Sequence, residues 1–268
     1  MKFSGCCFSS LGCGELTLGP MLQLARRFGV DQIEVRSLNG TVDCLAELDR
    51  ENQACGGRLG QNLAAGEVSI ALLGTSVRLT DDPAACRNTL ARFARWADEL
   101  NVPWIRIFDG DWKVSPNAEP LGSELLGWWQ EYRARSQVRS DLLVETHDSL
   151  LDAERIRHFL AAFPTSGLLW DTHHTWRKGG EAPAVTWAAI GASVRHMHVK
   201  DSVTAPEAAV GYRTVLPGEG EFPMQALQTA LLGSNYPGRL SLEWERYWQP
   251  TLPKLEVALQ AMLDAGWW

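Results

Sequence analysis

Four stretches in the second half of the chain run from apolar residues into a side chain that binds hard metal ions. If each stretch is a strand, Glu145, Asp171, His198 and Glu243 lie near the ends of four separate strands. Three carboxylates and one imidazole form an oxygen-rich ligand set for one divalent cation, Mn²⁺ by preference, with Co²⁺, Mg²⁺ or Zn²⁺ as alternatives. The stretches are LLVETHD (142–148), LLWDTHH (168–174), VRHMHVKD (194–201) and LSLEWE (240–245).

The alternation of side chains along a strand supports this prediction. Successive side chains point to opposite faces, and a buried carboxylate must be paired or bound to a metal. Glu145 then shares a face with His147, and His198 shares one with Lys200. The alternative is a set of salt bridges with Arg36, Arg106 or Lys200. We favour a metal site because converging carboxylates repel one another unless a multivalent cation is present.

Eight segments have the composition and alternation of strands, and segments with helical spacing separate them. The clearest helical spacing lies in CRNTLARFARWADELN (86–101) and near the C-terminus, at Leu255, Leu259 and Met262. This repeated strand-then-helix order indicates a parallel sheet with helices outside it. The predicted strands are 2–8, 32–36, 68–73, 103–108, 141–146, 167–171, 195–200 and 239–244.

Eight such units in 268 residues predict an α/β fold, a single (β/α)₈ TIM barrel that spans 1–268 as one domain. Closure of the barrel also accounts for the ligands, because the carboxyl ends of all its strands meet at one mouth. In an open sheet, groups on four neighbouring strands would span about 14 Å, too far to share one ion. The Pro- and Gly-rich stretch 205–223 predicts a long loop at the mouth.

Charge and composition narrow the class of protein. The chain has 25 Lys and Arg against 32 Asp and Glu, and its net charge of −7 opposes binding to a nucleic acid. The sequence has neither an apolar run near 18 residues nor a signal-peptide core, so we expect no membrane partner. All six cysteines lie in the first third without a C-x-x-C pair, which is typical of reduced thiols in a cytoplasmic protein.

Several motifs together resemble one known family. They are E-x-H at 145–147, W-D-T-H-H at 170–174, H-x-H-V-K-D at 196–201, P-G-x-G at 217–220 and the strand-borne Glu243. These motifs are similar to those of the xylose isomerase-like TIM barrels, often labelled sugar phosphate isomerases and epimerases. That group includes ketose 3-epimerases and inosose dehydratases. The resemblance covers most of the chain and is densest after residue 100.

The resemblance implies roles for particular residues. It implies that Glu145, Asp171, His198 and Glu243 bind the metal ion, and that the two glutamates exchange protons with a sugar carbon from opposite faces. It also implies that His174 hydrogen-bonds substrate oxygens.

Two further residues bear on the resemblance. Arg213, ahead of the L-P-G-E-G motif, resembles an arginine that contacts substrate in the same loop. Lys200 departs from the epimerase pattern and indicates another branch of the family.

Other side chains that face the predicted mouth are candidates for substrate contact, each with a structural alternative. Lys200 is a candidate for substrate binding or acid–base chemistry, the alternative being a salt bridge. His147 contacts either substrate or a carboxylate that binds the metal. Glu34 is a candidate for substrate contact, and Trp112 for stacking on a sugar ring rather than packing. For Arg106 we favour a structural charge inside the barrel.

The remaining histidines and the C-terminal tryptophans are assigned structural roles. We expect His196 to be a hydrogen-bonded core residue and His173 to pack or to cap a helix. We expect Trp267 and Trp268 to be buried either against the barrel or against a second subunit. The second alternative would make the protein a homo-oligomer.

The leading functional hypothesis is a metal-dependent isomerase or epimerase of a small keto sugar or polyol, acting by proton abstraction next to a carbonyl through an ene-diolate. A lyase or dehydratase acting on a keto-inositol or keto-glycoside is the alternative. An endonuclease IV-like DNA repair enzyme is less favoured, because it needs extra histidines on early strands and no histidine precedes His147. A non-catalytic sugar-binding barrel would be expected to lack some of the ligands.

Overall fold

The computed structural model describes residues 3, 5–113 and 118–268. Eight parallel strands close into a barrel in the order β1-β10-β7-β6-β5-β4-β3-β2, with β2 paired back to β1. This confirms the predicted (β/α)₈ barrel, although part of the predicted strand 2–8 falls outside the described residues. The barrel strands are β1 Cys6–Ser9, β2 Gln32–Val35, β3 Ser69–Arg78, β4 Trp104–Phe108, β5 Asp141–Glu145, β6 Gly167–Asp171, β7 Val194–Val199 and β10 Arg239–Leu242.

Helices cover the outside of the barrel and follow the strands along the chain. Several begin with an aspartate whose carboxylate accepts a backbone N–H, such as Asp82 before α4 and Asp152 before α6. The helices are α1 Leu18–Arg27, α2 Cys44–Ala54, α3 Leu59–Ala64, α4 Pro83–Glu99, α5 Ala118–Ser136, α6 Ala153–Ala162, α7 Thr172–Arg177, α8 Pro183–Ile190, α9 Met224–Ser234 and α10 Leu255–Asp264, with 3₁₀ turns at Ser10–Cys13 and Gly191–Ser193.

Strand alternation divides the apolar residues between two cores. Leu142 of β5 belongs to the large core between strands and helices, whereas the next residue, Leu143, belongs to a small cluster inside the barrel. Glu145, two residues after Leu143, therefore points inward as well. The same spacing relates Leu169, in the inner cluster, to Asp171 at the end of β6. The inner apolar layer thus lies below a layer of polar side chains.

The strands that differ most from the prediction are β3 and the strand within 205–223. Strand β3 continues to Arg78, five residues past the predicted end at 73, and so carries polar residues up to the mouth. The stretch 205–223 is not a continuous loop as predicted, because Tyr212–Val215 forms strand β9. It pairs antiparallel with β8, Asp201–Thr204, and makes a two-stranded hairpin outside the barrel. The Gly and Pro on both sides of β9 concealed its alternation.

The C-terminal tryptophans pack within the chain. Trp267 and Trp268 are both buried, and the ring of Trp267 stacks on Phe3 with 5.7 Å between centroids. Among the described residues, no helix is both long enough and apolar enough to cross a membrane.

Candidate metal centre and cavity

The four predicted ligands converge at the mouth of the barrel. Glu145, Asp171, His198 and Glu243 each offer an atom such that all four atoms lie within 4.8 Å of one another. All four side chains are buried. They come from β5, β6, β7 and the residue after β10, which are consecutive in the barrel order. Closure of the barrel therefore brings together residues that lie up to 98 positions apart in sequence.

A contact with Glu34, deeper inside the barrel, fixes the orientation of the His198 ring. Its Nε2 atom lies 2.8 Å from Oε2 of Glu34, while its Nδ1 atom lies 3.4 Å from Glu145 Oε1 and 3.2 Å from Glu243 Oε1. Burial by itself would lower the pKa of His198, but the charges of Glu243 and Glu34 raise it well above its usual value, so without an ion both ring nitrogens carry a proton. The carboxylate at Nε2 holds the proton on that nitrogen, so a cation among the carboxylates would displace the proton on Nδ1. The ring is thus set to offer Nδ1 as a metal ligand.

Glu34 is the shared acceptor beneath the cluster. Besides His198, its carboxylate accepts hydrogen bonds from His196 at 3.1 Å, Ser241 at 3.2 Å and Ser9 at 3.3 Å. Burial by itself would raise the pKa of Glu34, but the charge of His198 and the hydrogen bonds from both histidines lower it well below its usual range. Glu34 is therefore an anion that orients the histidines.

Asp171 is held by the first turn of α7. Its Oδ1 atom accepts the backbone N–H groups of His173 and His174, each at 2.9 Å, so the carboxylate caps the helix. Its Oδ2 atom points to the cluster, 2.9 Å from Nζ of Lys200. Burial would raise the pKa of Asp171, but the charges of Lys200 and His198 lower it well below its usual range.

Three buried polar atoms of the cluster have no hydrogen bond of good geometry. They are His198 Nδ1 and two oxygens that have only ion-pair contacts, Glu145 Oε2 with Arg106 and Asp171 Oδ2 with Lys200. Such atoms are costly to bury unless they bind something. A divalent cation would use oxygen and nitrogen donors of this kind, so the residues present fit a metal ion.

Lys200 lies among the same carboxylates. Its ammonium group forms ion pairs with Asp171, with Glu243 and with Oε1 of Glu245, the last at 3.0 Å. Burial by itself would lower the pKa of Lys200, but the charges of Asp171 and Glu243 raise it well above its usual value. Lys200 is therefore a buried cation at the edge of the cluster.

A cavity of about 360 Å³ opens above the cluster. Glu145 and Glu243 contribute to its wall, and so do His147 and His174, whose rings meet edge to face with 4.6 Å between centroids. Burial and the charge of Lys200 lower the pKa of His174 well below its usual value, so its ring is neutral. The other lining residues are Leu11, Arg36, Val42, Ser76, Arg78, Arg106, Phe108, Glu245 and Trp248.

Several of these lining residues were not assigned to a functional site from the sequence. Arg78 lies on the unpredicted extension of β3, and Trp248 lies in the segment after β10 with 55% of its surface exposed. Arg106, expected to be a structural charge, forms an ion pair of 3.0 Å with Glu145 and also lines the cavity. The even spacing of Ser76 and Arg78 along β3 was the signal that could have revealed the longer strand.

Three residues predicted to bind substrate lie away from this cavity. Glu34 is fully buried beneath the metal-ligand cluster. Arg213 is exposed on the β8–β9 hairpin. Trp112 donates its ring N–H to the carbonyl of Asp109 and lines a different cavity, beside the N-terminus of α6.

Two buried aspartates, Asp109 after β4 and Asp201 in β8, hold loops by accepting backbone N–H groups. Asp109 accepts the backbone N–H groups of four consecutive residues, 147–150, and thereby fixes the loop that carries His147. Asp201 accepts the N–H groups of Gly218, Gly220 and Phe222, which fixes the loop after β9.

Solved structures with the same fold have low sequence identity to the chain. The probable 3-DHS dehydratase AsbF of Bacillus anthracis is 17% identical with a TM-score of 0.76, and the match covers 98% of this chain and 99% of that one. The IOLI protein with a bound zinc atom is 17% identical with a TM-score of 0.72, covering 97% and 96%. A D-tagatose 3-epimerase-like protein is 14% identical with a TM-score of 0.67, covering 98% and 96%.

No curated protein matches the chain in sequence. A family model, in contrast, matches residues 22–265. The fold and the sequence agree on the assignment, and the chain belongs to the xylose isomerase-like TIM barrel family.

Proposed function

We propose that the protein is a divalent-metal-dependent isomerase or epimerase of a small polyhydroxylated carbonyl compound. The observation that carries this proposal is the position of Glu145 and Glu243. Both belong to the four-residue cluster that fits a cation, and both line the same cavity. A substrate in the cavity would therefore lie against the cation and two carboxylates at once.

Each residue has a defined task in this proposal. Glu145, Asp171, His198 and Glu243 hold the ion, which would supply Lewis-acid polarisation of a substrate carbonyl. One glutamate takes the proton from the carbon next to that carbonyl, and the other returns a proton to the opposite face of the same carbon. Alternatively, the proton returns to the former carbonyl carbon, while the hydroxyl proton on the neighbouring oxygen moves to the former carbonyl oxygen. The first outcome is epimerisation and the second is isomerisation.

Different partners distinguish the two glutamates. Arg106 lies 3.0 Å from Glu145, whereas Glu243 forms an ion pair with the ammonium group of Lys200. Burial by itself would raise the pKa of Glu243, but the charges of His198 and Lys200 lower it well below its usual range. Glu243 is therefore ionised, the form that can accept a proton from substrate, and it is the glutamate that we select for the test.

Elimination is the second candidate function, and the position of His147 favours it. The Nδ1 atom of His147 lies 2.8 Å from Asp148 Oδ1, and the ring lines the cavity with about a third of its surface exposed. In a dehydration, a glutamate takes the C–H proton, the C–O bond breaks, and His147 protonates the departing hydroxyl to give water. The related structures described as a 3-DHS dehydratase and as epimerase-like support both outcomes of one site.

A panel of ketoses and keto-inositols, assayed in D₂O with Mn²⁺, Co²⁺, Mg²⁺ and Zn²⁺, tests the proposal by NMR. Epimerisation or isomerisation places solvent deuterium on the substrate carbon without loss of a group, whereas elimination yields an enone. Glu243→Gln should lower turnover by about 10²–10⁴-fold, the usual contribution of a general base. The matched control is Glu207→Gln, which replaces an exposed glutamate on the β8–β9 hairpin turn.

The metal content of the purified protein is an independent test of the proposed function. We expect one divalent ion per chain. Protein that binds no divalent ion stoichiometrically, or Glu243→Gln with full turnover, would overturn the proposal and favour a sugar-binding barrel without catalysis.

A further inference from the structure

Three arginines line the cavity on its β2–β4 side, and one of them, Arg106, also pairs with Glu145. Arg36 follows β2, Arg78 ends β3 and Arg106 lies in β4, and these strands are neighbours in the barrel. All three side chains line the cavity. The ring of Phe108 lies between two of them, with its centroid 3.9 Å from the guanidinium carbon of Arg106 and 5.9 Å from that of Arg78. The cavity thus has an acidic side and a basic side.

Arg36 is buried without a counter-ion. Only 6% of its surface is exposed, and its Nη2 atom donates to the neutral hydroxyl of Ser76 at 3.1 Å. Its Nη1 atom is buried and has no hydrogen-bond partner. Within the described part of the chain, no carboxylate lies within salt-bridge distance of Arg36 or of Arg78. A buried charge without a partner strongly destabilises the fold, so a bound ligand of opposite charge would increase the free energy of unfolding.

The fold brings a second guanidinium close to Arg36. Gly74 lies between the two side chains, and a Cβ atom there would come within 2.8 Å of Arg36 Cδ and 3.1 Å of Arg106 Nη2. The absence of a side chain at this position therefore allows both arginines to reach the cavity side by side. Burial and the neighbouring charge of Arg106 lower the pKa of Arg36 to about 10, which leaves it protonated at neutral pH.

The charges on the acidic side are already matched. Lys200 pairs with Glu243 and Glu245, Arg106 pairs with Glu145, and the cation of the proposed function would lie among the ligands. The positive charges of Arg36 and Arg78 remain. Guanidinium groups bind carboxylate and phosphate oxygens through paired N–H donors, which makes them suited to a compact oxyanion.

We propose that the substrate carries an anionic oxo group, a carboxylate or a phosphate, and that Arg36 and Arg78 bind it. This inference rests on the proposed function, which places the substrate in this cavity. The anion lies against the β2–β4 wall, and the carbonyl end of the molecule then faces Glu145 and Glu243. A neutral sugar would leave Arg36 unpaired and should bind more weakly.

Thermal unfolding of the full, metal-loaded chain tests the proposal with inorganic phosphate, D-glucuronate and D-glucose as probes, against sodium chloride at equal ionic strength. We expect a saturable rise in melting temperature with phosphate, with glucuronate or with both, and none with glucose. At ten times the dissociation constant the ratio of folded to unfolded protein should increase about elevenfold. The probe that gives the rise distinguishes phosphate from carboxylate as the bound group.

Arg36→Met should abolish this rise, and without an anion it should melt no lower than the wild type, because it removes a buried unpaired charge. Arg58→Met is the matched control at an exposed position and should keep the full rise. If Arg36→Met does not fold, Arg78→Met, at an exposed side chain, gives the same test. No saturable rise with either anion, or an equal rise in Arg36→Met and Arg58→Met, overturns the proposal.

Different variants test the anion site and the proposed function. Glu243→Gln should lose turnover and keep the rise with the anion. Failure of the proposed function shows as a chain without a divalent ion or as turnover that survives Glu243→Gln. Failure of the anion site shows in the melting temperatures measured with phosphate and glucuronate, in the wild type or in the arginine variants, and not in turnover or metal content.

Discussion

The Nε2 atom of His198 lies 2.8 Å from Oε2 of Glu34, and this contact decides which nitrogen of the ring faces the three carboxylates. Glu34 comes from β2, on the far side of the barrel from β7, so the contact crosses the barrel interior. A carboxylate at one nitrogen fixes the tautomer and raises the basicity of the other nitrogen. We therefore expect Glu34 to influence metal binding through His198 without being a ligand itself.

Glu34→Gln should weaken metal binding about 10- to 100-fold, the usual cost of losing a partner that orients a histidine ligand. The glutamine amide can present an N–H to His198 instead of an acceptor, which would turn the ring. Isothermal titration with Mn²⁺ measures the dissociation constant. Glu67→Gln, at an exposed glutamate, is the control. Unchanged Mn²⁺ affinity in Glu34→Gln would show that the contact does not orient the ligand.

Removal of divalent ions should lower the melting temperature, since it leaves three buried carboxylates close to one another. Dialysis against EDTA followed by addition of Mn²⁺ measures the effect. At 100 times the dissociation constant, the ion should stabilise the fold by about 2.7 kcal/mol. Asp171→Asn should lose most of this stabilisation, because it replaces the charged carboxylate, whose Oδ2 atom points to the cluster, with a neutral amide. If neither EDTA nor Mn²⁺ changes the melting temperature, the prediction of a metal site is wrong.

Lys200→Met should destabilise the metal-free protein more than the metal-loaded protein. Among the described residues, Lys200 supplies the only ammonium group that pairs with Asp171 and Glu243, and the variant removes it. A buried carboxylate without a partner lowers the free energy of unfolding by about 3–5 kcal/mol. A divalent ion bound by the same carboxylates would offset part of this cost. Urea unfolding with EDTA and with Mn²⁺ gives the two free energies of unfolding. An equal loss under both conditions would mean that Lys200 and the ion do not share these carboxylates.

The cluster of Glu145, Asp171, His198 and Glu243 could be predicted because the strands that carry these residues are buried and regular. Leu143 and Glu145 differ by two positions, as do Leu169 and Asp171, so the side chain that ends each inner face is visible in the sequence. The closed barrel then followed from the number of strand-and-helix units. Local alternation and chain length were sufficient for this part of the site.

The basic wall of the cavity could not be predicted in the same way. Gly74 interrupts the alternation of β3, so the strand seemed to end at residue 73 and Arg78 fell outside it. The role of Glu34 depends on contacts with His196 and His198, more than 160 positions away. Which of several inward charges meet across a barrel is determined by side-chain packing, which the sequence pattern does not contain.

Gly220→Ala should destabilise the fold by about 1–3 kcal/mol, the usual cost of forcing an atom into a filled space. A Cβ atom at this position would overlap the carboxylate of Asp201 and come within 2.7 Å of the carbonyl oxygen of Ser202. The variant would therefore push away the carboxylate that accepts the backbone N–H groups of Gly218 and Phe222. Urea unfolding measures the change in the free energy of unfolding.

Gly233→Ala is the matched control for this prediction. Gly233 lies in α9, and a Cβ atom there would meet nothing within 4 Å, so the substitution should stabilise the helix by about 0.5–1 kcal/mol. The two alanine variants should thus change the stability in opposite directions. If Gly220→Ala is as stable as the wild type, the loop after β9 does not need the hydrogen bonds to Asp201.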